Sequence, residues 1–127
     1  MAIEWNIEIP KQDYLAIPFS RKVNSNKVQF GEKDLLFMTV KENFEKDEIL
    51  FQKSLDNGIV WDEENKRYLI EIQSEDTQNC EVNKKYGYDI TVYYDEIKPK
   101  QLVVGELTVG KKFTLNKIER WAEWMMK

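Results

Sequence analysis

The chain contains no histidine. That removes the usual general base near neutral pH and the commonest metal ligand. Catalytic triads built on Ser-His or Cys-His pairs are excluded with it. Cysteine occurs once, as Cys80, so no disulfide can form within the chain. No apolar run approaches the roughly 20 residues that a membrane-spanning helix requires. The opening segment MAIEWNIEIP alternates apolar and polar residues. A secretory leader would instead place a basic stretch before a continuous apolar one. Folding in the cytoplasm without a membrane partner is the expectation. Positive charge is also scarce: 19 basic residues stand against 23 acidic ones, for a net charge of −4. Nucleic-acid binding draws most of its affinity from a basic patch, so no nucleic acid is expected as a partner. The pairs Lys84-Lys85 and Lys111-Lys112 lie among acids and read as solvated strand ends.

What is present suits one domain of 127 residues. A 42% hydrophobic content supplies a core, and 33% charged residues supply a solvated surface. Residues 2–9 alternate strictly, with Ile3, Trp5, Ile7 and Ile9 on one face, which predicts a half-buried strand ended by Pro10. Residues 14–23 predict an edge strand or an extended crossing piece interrupted by Pro18, followed by turn chemistry in VNSNK. The run DLLFMTVK (34–41) is apolar on both faces, as for an inner strand. A further strand is expected at about 48–54, then a turn at Asp56-Asn57-Gly58, where glycine accepts positive φ without steric cost. GIVW (58–61), the acidic loop 62–66 and RYLIEIQ (67–73) follow, the last with Tyr68, Ile70 and Ile72 on one face. SEDTQN (74–79) reads as a short helical turn or a connection between sheets. Strand 86–94 places Tyr86, Tyr88, Ile90, Val92 and Tyr94 on one face and Gly87, Asp89, Thr91 and Tyr93 on the other, and QLVVGELTV (101–109) completes the set. About eight strands, spaced 8–15 residues apart with turn signals between them, suggest an antiparallel β-sandwich over 1–115.

The period then changes. In NKIERWAEWMMK, Ile118, Trp121, Ala122 and Met125 recur at helical spacing, with Asn116 and Glu119 placed as a capping box. A helix over 116–127 is expected to pack on its own sheet or on a partner. Trp121, Trp124, Met125 and Met126 are the interface candidates, because this apolar stripe is wide for a surface helix.

Few side chains suggest chemistry. Paired carboxylates at 47–48, 62–64, 75–76 and 95–96 read as solvated loops, with 62–64 the best metal candidate. Neither a metal nor another cofactor is expected. Asp89 reads as a carboxylate that faces solvent or accepts bonds from a neighbouring strand. Gly87 and Gly105 mark a bulge or the close approach of another backbone. Trp5, Tyr68, Tyr88 and Ile90 are expected inside. Trp61, Tyr93 and Trp124, whose faces the alternation leaves open, would be the contact residues of a carbohydrate-binding module, the alternative functional reading.

Several segments carry a resemblance beyond their periodicity: DLLFMTVKE, ILFQKSLDNGIVWDEENKRYLIEI, SEDTQN, YGYDITVYY and QLVVGELTV. In this order, over residues of about 30–110, they resemble the N-terminal domain of phage baseplate upper proteins and related tail domains. The resemblance implies an immunoglobulin-like sandwich in a non-enzymatic structural component of a phage or prophage particle. It implies assembly in the bacterial cytoplasm into a virion, with copies of itself or other phage subunits. No catalytic residue is carried over: Tyr88 and Asp89 match the strand motif, and Asp56, Asn57 and Gly58 match the turn, all with structural roles. The family's closing strand runs into a longer C-terminal region, whereas here a tryptophan-containing segment follows. That departure points to an adaptor or accessory subunit rather than a receptor-binding arm.

Overall fold

In the computed structural model, residues 2–11 and 13–110 are described. They hold eleven strands: β1 Ile3–Glu4, β2 Ile7–Pro10, β3 Leu15–Phe19, β4 Lys22–Val23, β5 Asn26–Lys27, β6 Leu35–Lys41, β7 Ile49–Leu55, β8 Gly58–Asp62, β9 Arg67–Ile72, β10 Lys85–Tyr94 and β11 Lys98–Gly110. A 3-10 turn, Ser74–Thr77, stands where SEDTQN suggested one. The expected helix over 116–127 lies outside the described residues, as do its interface candidates Trp121, Trp124, Met125 and Met126.

Hydrogen bonding links the strands in the order β1-β11-β10-β6-β7-β8-β9-β3, with β2 also on β11. The link between β7 and β8 is two residue pairs long, Ser54 with Gly58 and Leu55 with Ile59. There the path folds over, so that a larger sheet (β1/β2-β11-β10-β6-β7) faces a smaller one (β8-β9-β3). Tyr88, Ile90 and Val92 of one sheet and Tyr68, Ile70 and Ile72 of the other share a single buried cluster. This is the strand order of an immunoglobulin-like sandwich, with β3, β9 and β8 in the places of B, E and D, and β6, β7, β10 and β11 in those of C, C′, F and G. Most ladders are antiparallel, but β1 and β2 run parallel to β11 and β8 runs parallel to β7. The parallel pairs arise because the chain enters beside its last strand and because Asp56–Gly58 switches sheets rather than closing a hairpin. Asp56 (φ 64°) and Gly58 (φ 99°) make that switch tight.

Many domains of this architecture pin their sheets with a disulfide and a tryptophan. Here Tyr86 opens β10 and its hydroxyl oxygen accepts the Glu81 N–H at 2.7 Å. Two residues on, where the second cysteine would stand, is Tyr88, whose hydroxyl donates to the Trp5 carbonyl. On the opposite sheet, the Tyr68 hydroxyl accepts the Phe30 N–H at 2.7 Å. Each ring fills core volume while its polar tip satisfies a loop or edge backbone group. The lone Cys80 thiol is buried, and burial pushes its pKa up. Where the sheets part beside β7, the inward Lys53 meets Asp76 of the 3-10 turn at 2.6 Å, and Asp76 also accepts the Gln73 N–H. That ion pair bridges a side of the sandwich where the β7–β8 ladder is short.

The first strand departs from expectation. Its alternation breaks at Trp5-Asn6, where the Trp5 N–H donates to the Val104 carbonyl and Asn6 Oδ1 accepts the Glu106 N–H. Trp5 is therefore exposed rather than inward, and Ile3 is 68% exposed. The close approach expected at Gly105 is present: a Cβ there would overlap the Trp5 carbonyl.

Two outcomes follow from this packing. Gly105→Ala should lower unfolding free energy by about 1–3 kcal/mol, as overpacking does, read from the urea midpoint. Burial raises the Tyr88 pKa from 10.0 to about 12. Above the unfolded value, the unfolded chain gives up a proton that the folded chain keeps. Stability should hold below pH 10 and fall as pH rises from there towards 12. Tyr88→Phe should flatten that fall in urea titrations, and an unchanged slope would refute the assignment.

Candidate functional site

The outward positions of β6, β7, β10 and β11 form one lattice. Thr39 lies opposite Asp89, Phe37 opposite Thr91, and Leu35 opposite Tyr93. Gln52 of β7 lies opposite Thr39. Together they floor a shallow concavity of about 720 Å³. Its centre is polar and internally paired: Gln52 Nε2 donates to Thr39 Oγ1 at 2.9 Å, and Asp89 accepts from Thr91 and from Gln101 at 3.3 and 3.2 Å. Its two ends are apolar. At one, Phe37 and Tyr93 pack edge-on with ring centres 5.9 Å apart, next to exposed Leu35. At the other, Phe44 (58% exposed) leans over Gly87 beside exposed Ile49.

Strand geometry explains why these side chains meet. Alternation on β10 directs its tyrosines at 86 and 88 inward and Tyr93 outward. A register shift between Val40 and Lys41 on the β6–β7 ladder lets both Ile49 and Leu50 reach solvent before Phe51 turns inward. Gly87 leaves room for the Phe44 ring. Asp89, read from sequence as structural, is held by two neutral donors with no nucleophile or base among its partners.

The other candidates scatter. Trp61 packs edge-on against Tyr68 at 4.9 Å on the smaller sheet, and its indole N–H donates to Glu63 at 2.5 Å. Tyr93 sits on the outer face of the other sheet, so these two rings share no platform. Trp124 lies outside the described residues. In the acidic loop 62–64, Asp62 and Glu63 use their carboxylates locally. Hydrogen bonds, from Asn65 first for Asp62 and from Lys66 first for Glu63, hold both below the usual carboxylate range. Among the described residues no three His, Cys, Asp or Glu side chains gather to hold a metal ion. Sequence reasoning singled out Tyr93 on this face but missed Leu35, Phe37, Phe44 and Ile49. Phe37 lies in a run that is apolar on both faces, and Phe44 lies in a charged loop, so neither carries a periodic signal.

No family model matches the chain, and no curated protein matches it. Among solved structures, it is similar to the extracellular domain of the voltage-gated sodium channel β4 subunit. Identity is 15%, covering 89% of this chain and 96% of that one, with a TM-score of 0.48.

Asp89→Ala should cost at most about 1 kcal/mol, because its partners stand at a wet surface and can turn to water. A larger loss in the denaturation midpoint would show the polar centre to be structural rather than merely solvated.

Proposed function

We propose that the protein is a non-enzymatic assembly module that makes protein–protein contacts through the outer face of its larger sheet. The observation that carries this reading is the grouping of Leu35, Phe37, Phe44, Ile49 and Tyr93 around a polar centre on one exposed surface. Aromatic and aliphatic side chains around satisfied polar groups suit the core of a protein interface. A single exposed apolar residue needs no explanation, but two apolar clusters at the ends of one concavity favour an interaction surface. The first partner is a second copy, since one outer face can meet another about a two-fold axis. The resemblance of residues of about 30–110 to phage baseplate upper proteins supplies the setting: a structural subunit of a phage or prophage particle.

Light scattering coupled to size exclusion, over a roughly hundredfold range of protomer concentration, tests the reading. The expected result is an oligomer that persists in high salt, because its contact is apolar. The double variant Ile49→Lys/Tyr93→Lys should dissociate it with the β circular dichroism unchanged. A wild type that stays monomeric throughout, or a double variant that associates like the wild type, would overturn the proposal.

A further inference from the structure

The β4–β5 hairpin stands apart from the main sheet as its own two-stranded ribbon. Asn24 and Ser25 both have positive φ, 53° and 69°, which fits the tight turn that matches strand twist. Residues 22–27 are all exposed and carry Lys22 and Lys27 with no acid. Lys22 and Lys27 pair across the ribbon and share one face, while Val23, paired with Asn26 and 43% exposed, lies on the other. At the base of the ribbon the Arg21 guanidinium lies 4.8 Å from the Phe30 ring centre and donates to the Gln29 carbonyl at 3.0 Å. The hairpin is thus an exposed, cationic ribbon on a chain whose net charge is −4.

Elsewhere on the molecule a groove of about 400 Å³ runs between the first strand, the 42–44 loop and β11. Glu4, Glu42 and Glu106 line it against a single lysine, Lys85, and Phe44 supplies an apolar wall. Glu42 is tied to Lys84 at 3.0 Å. Glu4 and Glu106 make no ion pair among the described residues, and neither do Lys22 and Lys27. The same chain therefore carries a projecting ribbon and a recess of opposite charge, each with unpaired ions and an exposed apolar side chain.

We propose that the β4–β5 hairpin of one copy docks in the acidic groove of a second copy. Lys22 and Lys27, which share one face of the ribbon, then meet Glu4 and Glu106. The two surfaces differ, so one-way docking is heterologous and builds a ring or an open row, whereas reciprocal docking about a two-fold axis closes a pair. Charge complementarity of this kind sets orientation and encounter rate. The inference extends the assembly reading above, and its ionic contacts use residues that the outer-face contact does not.

The experiment is done in the Ile49→Lys/Tyr93→Lys background, where the outer-face contact is removed and the hairpin contact is read alone. Light scattering should show mass growing with concentration at about 0.05 M salt and returning to monomer near 0.5 M, as screening shortens the Debye length. Lys22→Glu/Lys27→Glu and Glu4→Lys/Glu106→Lys should each weaken association at least about tenfold, since like charges then face each other. An equimolar mixture of the two should associate again, because each retains the surface that the other has lost. The hairpin contact is refuted by a background protein that stays monomeric at low salt. It is equally refuted by either charge variant associating undiminished, or by a mixture that does not recover. Failure of the outer-face reading appears separately, as high-salt association that the background substitutions leave intact.

Discussion

Two sheets must be held face to face by a chain with one cysteine, and the inner edge of β10 is where this is done. Tyr86, Tyr88, Ile90 and Val92 alternate inward along the ten residues of β10, and each contributes to the shared core. A disulfide would add a covalent link of fixed length. Tyrosine instead packs its ring into the gap between the sheets and ends in a hydroxyl that must find a partner, here at the margin of its own sheet. Those partners are backbone groups at the sandwich margin: the Glu81 N–H for Tyr86 and the Trp5 carbonyl for Tyr88. The consequence is that margin and core are coupled. The entry strand is positioned by a side chain whose bulk belongs to the core.

That coupling explains the geometry of the edge. Once the Trp5 carbonyl is directed at Tyr88, it lies over β11, and only glycine fits at position 105. Asn6 then takes up the Glu106 N–H with its side chain, and pairing resumes at Ile7. One hydrogen bond, one glycine and one asparagine together convert what looks like a single eight-residue strand into two short ones. The break directs Trp5 and Ile3 towards solvent and places Glu4 in the acidic groove.

Much of this fold was legible in the sequence where one period ran uninterrupted. The inward set of β9, the two faces of β10 and the turn at 56–58, though not its switch between sheets, follow from alternation and from residues that accept positive φ. Legibility failed where a third strand decides the outcome. Nothing local in AIEWNIEI announces that its pairing partner lies a hundred residues away and parallel, so strict alternation misplaced Trp5. The outer face failed for a related reason. Its residues come from four strands and a loop, and register shifts at Val40/Lys41 and Ile90/Thr91 decide which neighbours align. Such juxtapositions are properties of the ladder, not of any one segment.

The outer face also differs from what a sheet wants if it is only to be solvated. Central strands that face water usually carry polar side chains throughout, because exposed apolar strands invite association. Here Thr39, Gln52, Asp89, Thr91 and Gln101 follow that rule in the middle and satisfy one another. Leu35, Phe37 and Tyr93 break it at one end, and Phe44 and Ile49 break it at the other. A polar centre limits indiscriminate sticking, since any surface placed on it must offer matching donors or leave those groups unpaired, which costs roughly 1–3 kcal/mol each. In the proposed assembly, the apolar ends would supply the free energy of contact. An arrangement with adhesive ends and a selective middle favours one complementary surface over many, and that is the property an assembly subunit needs.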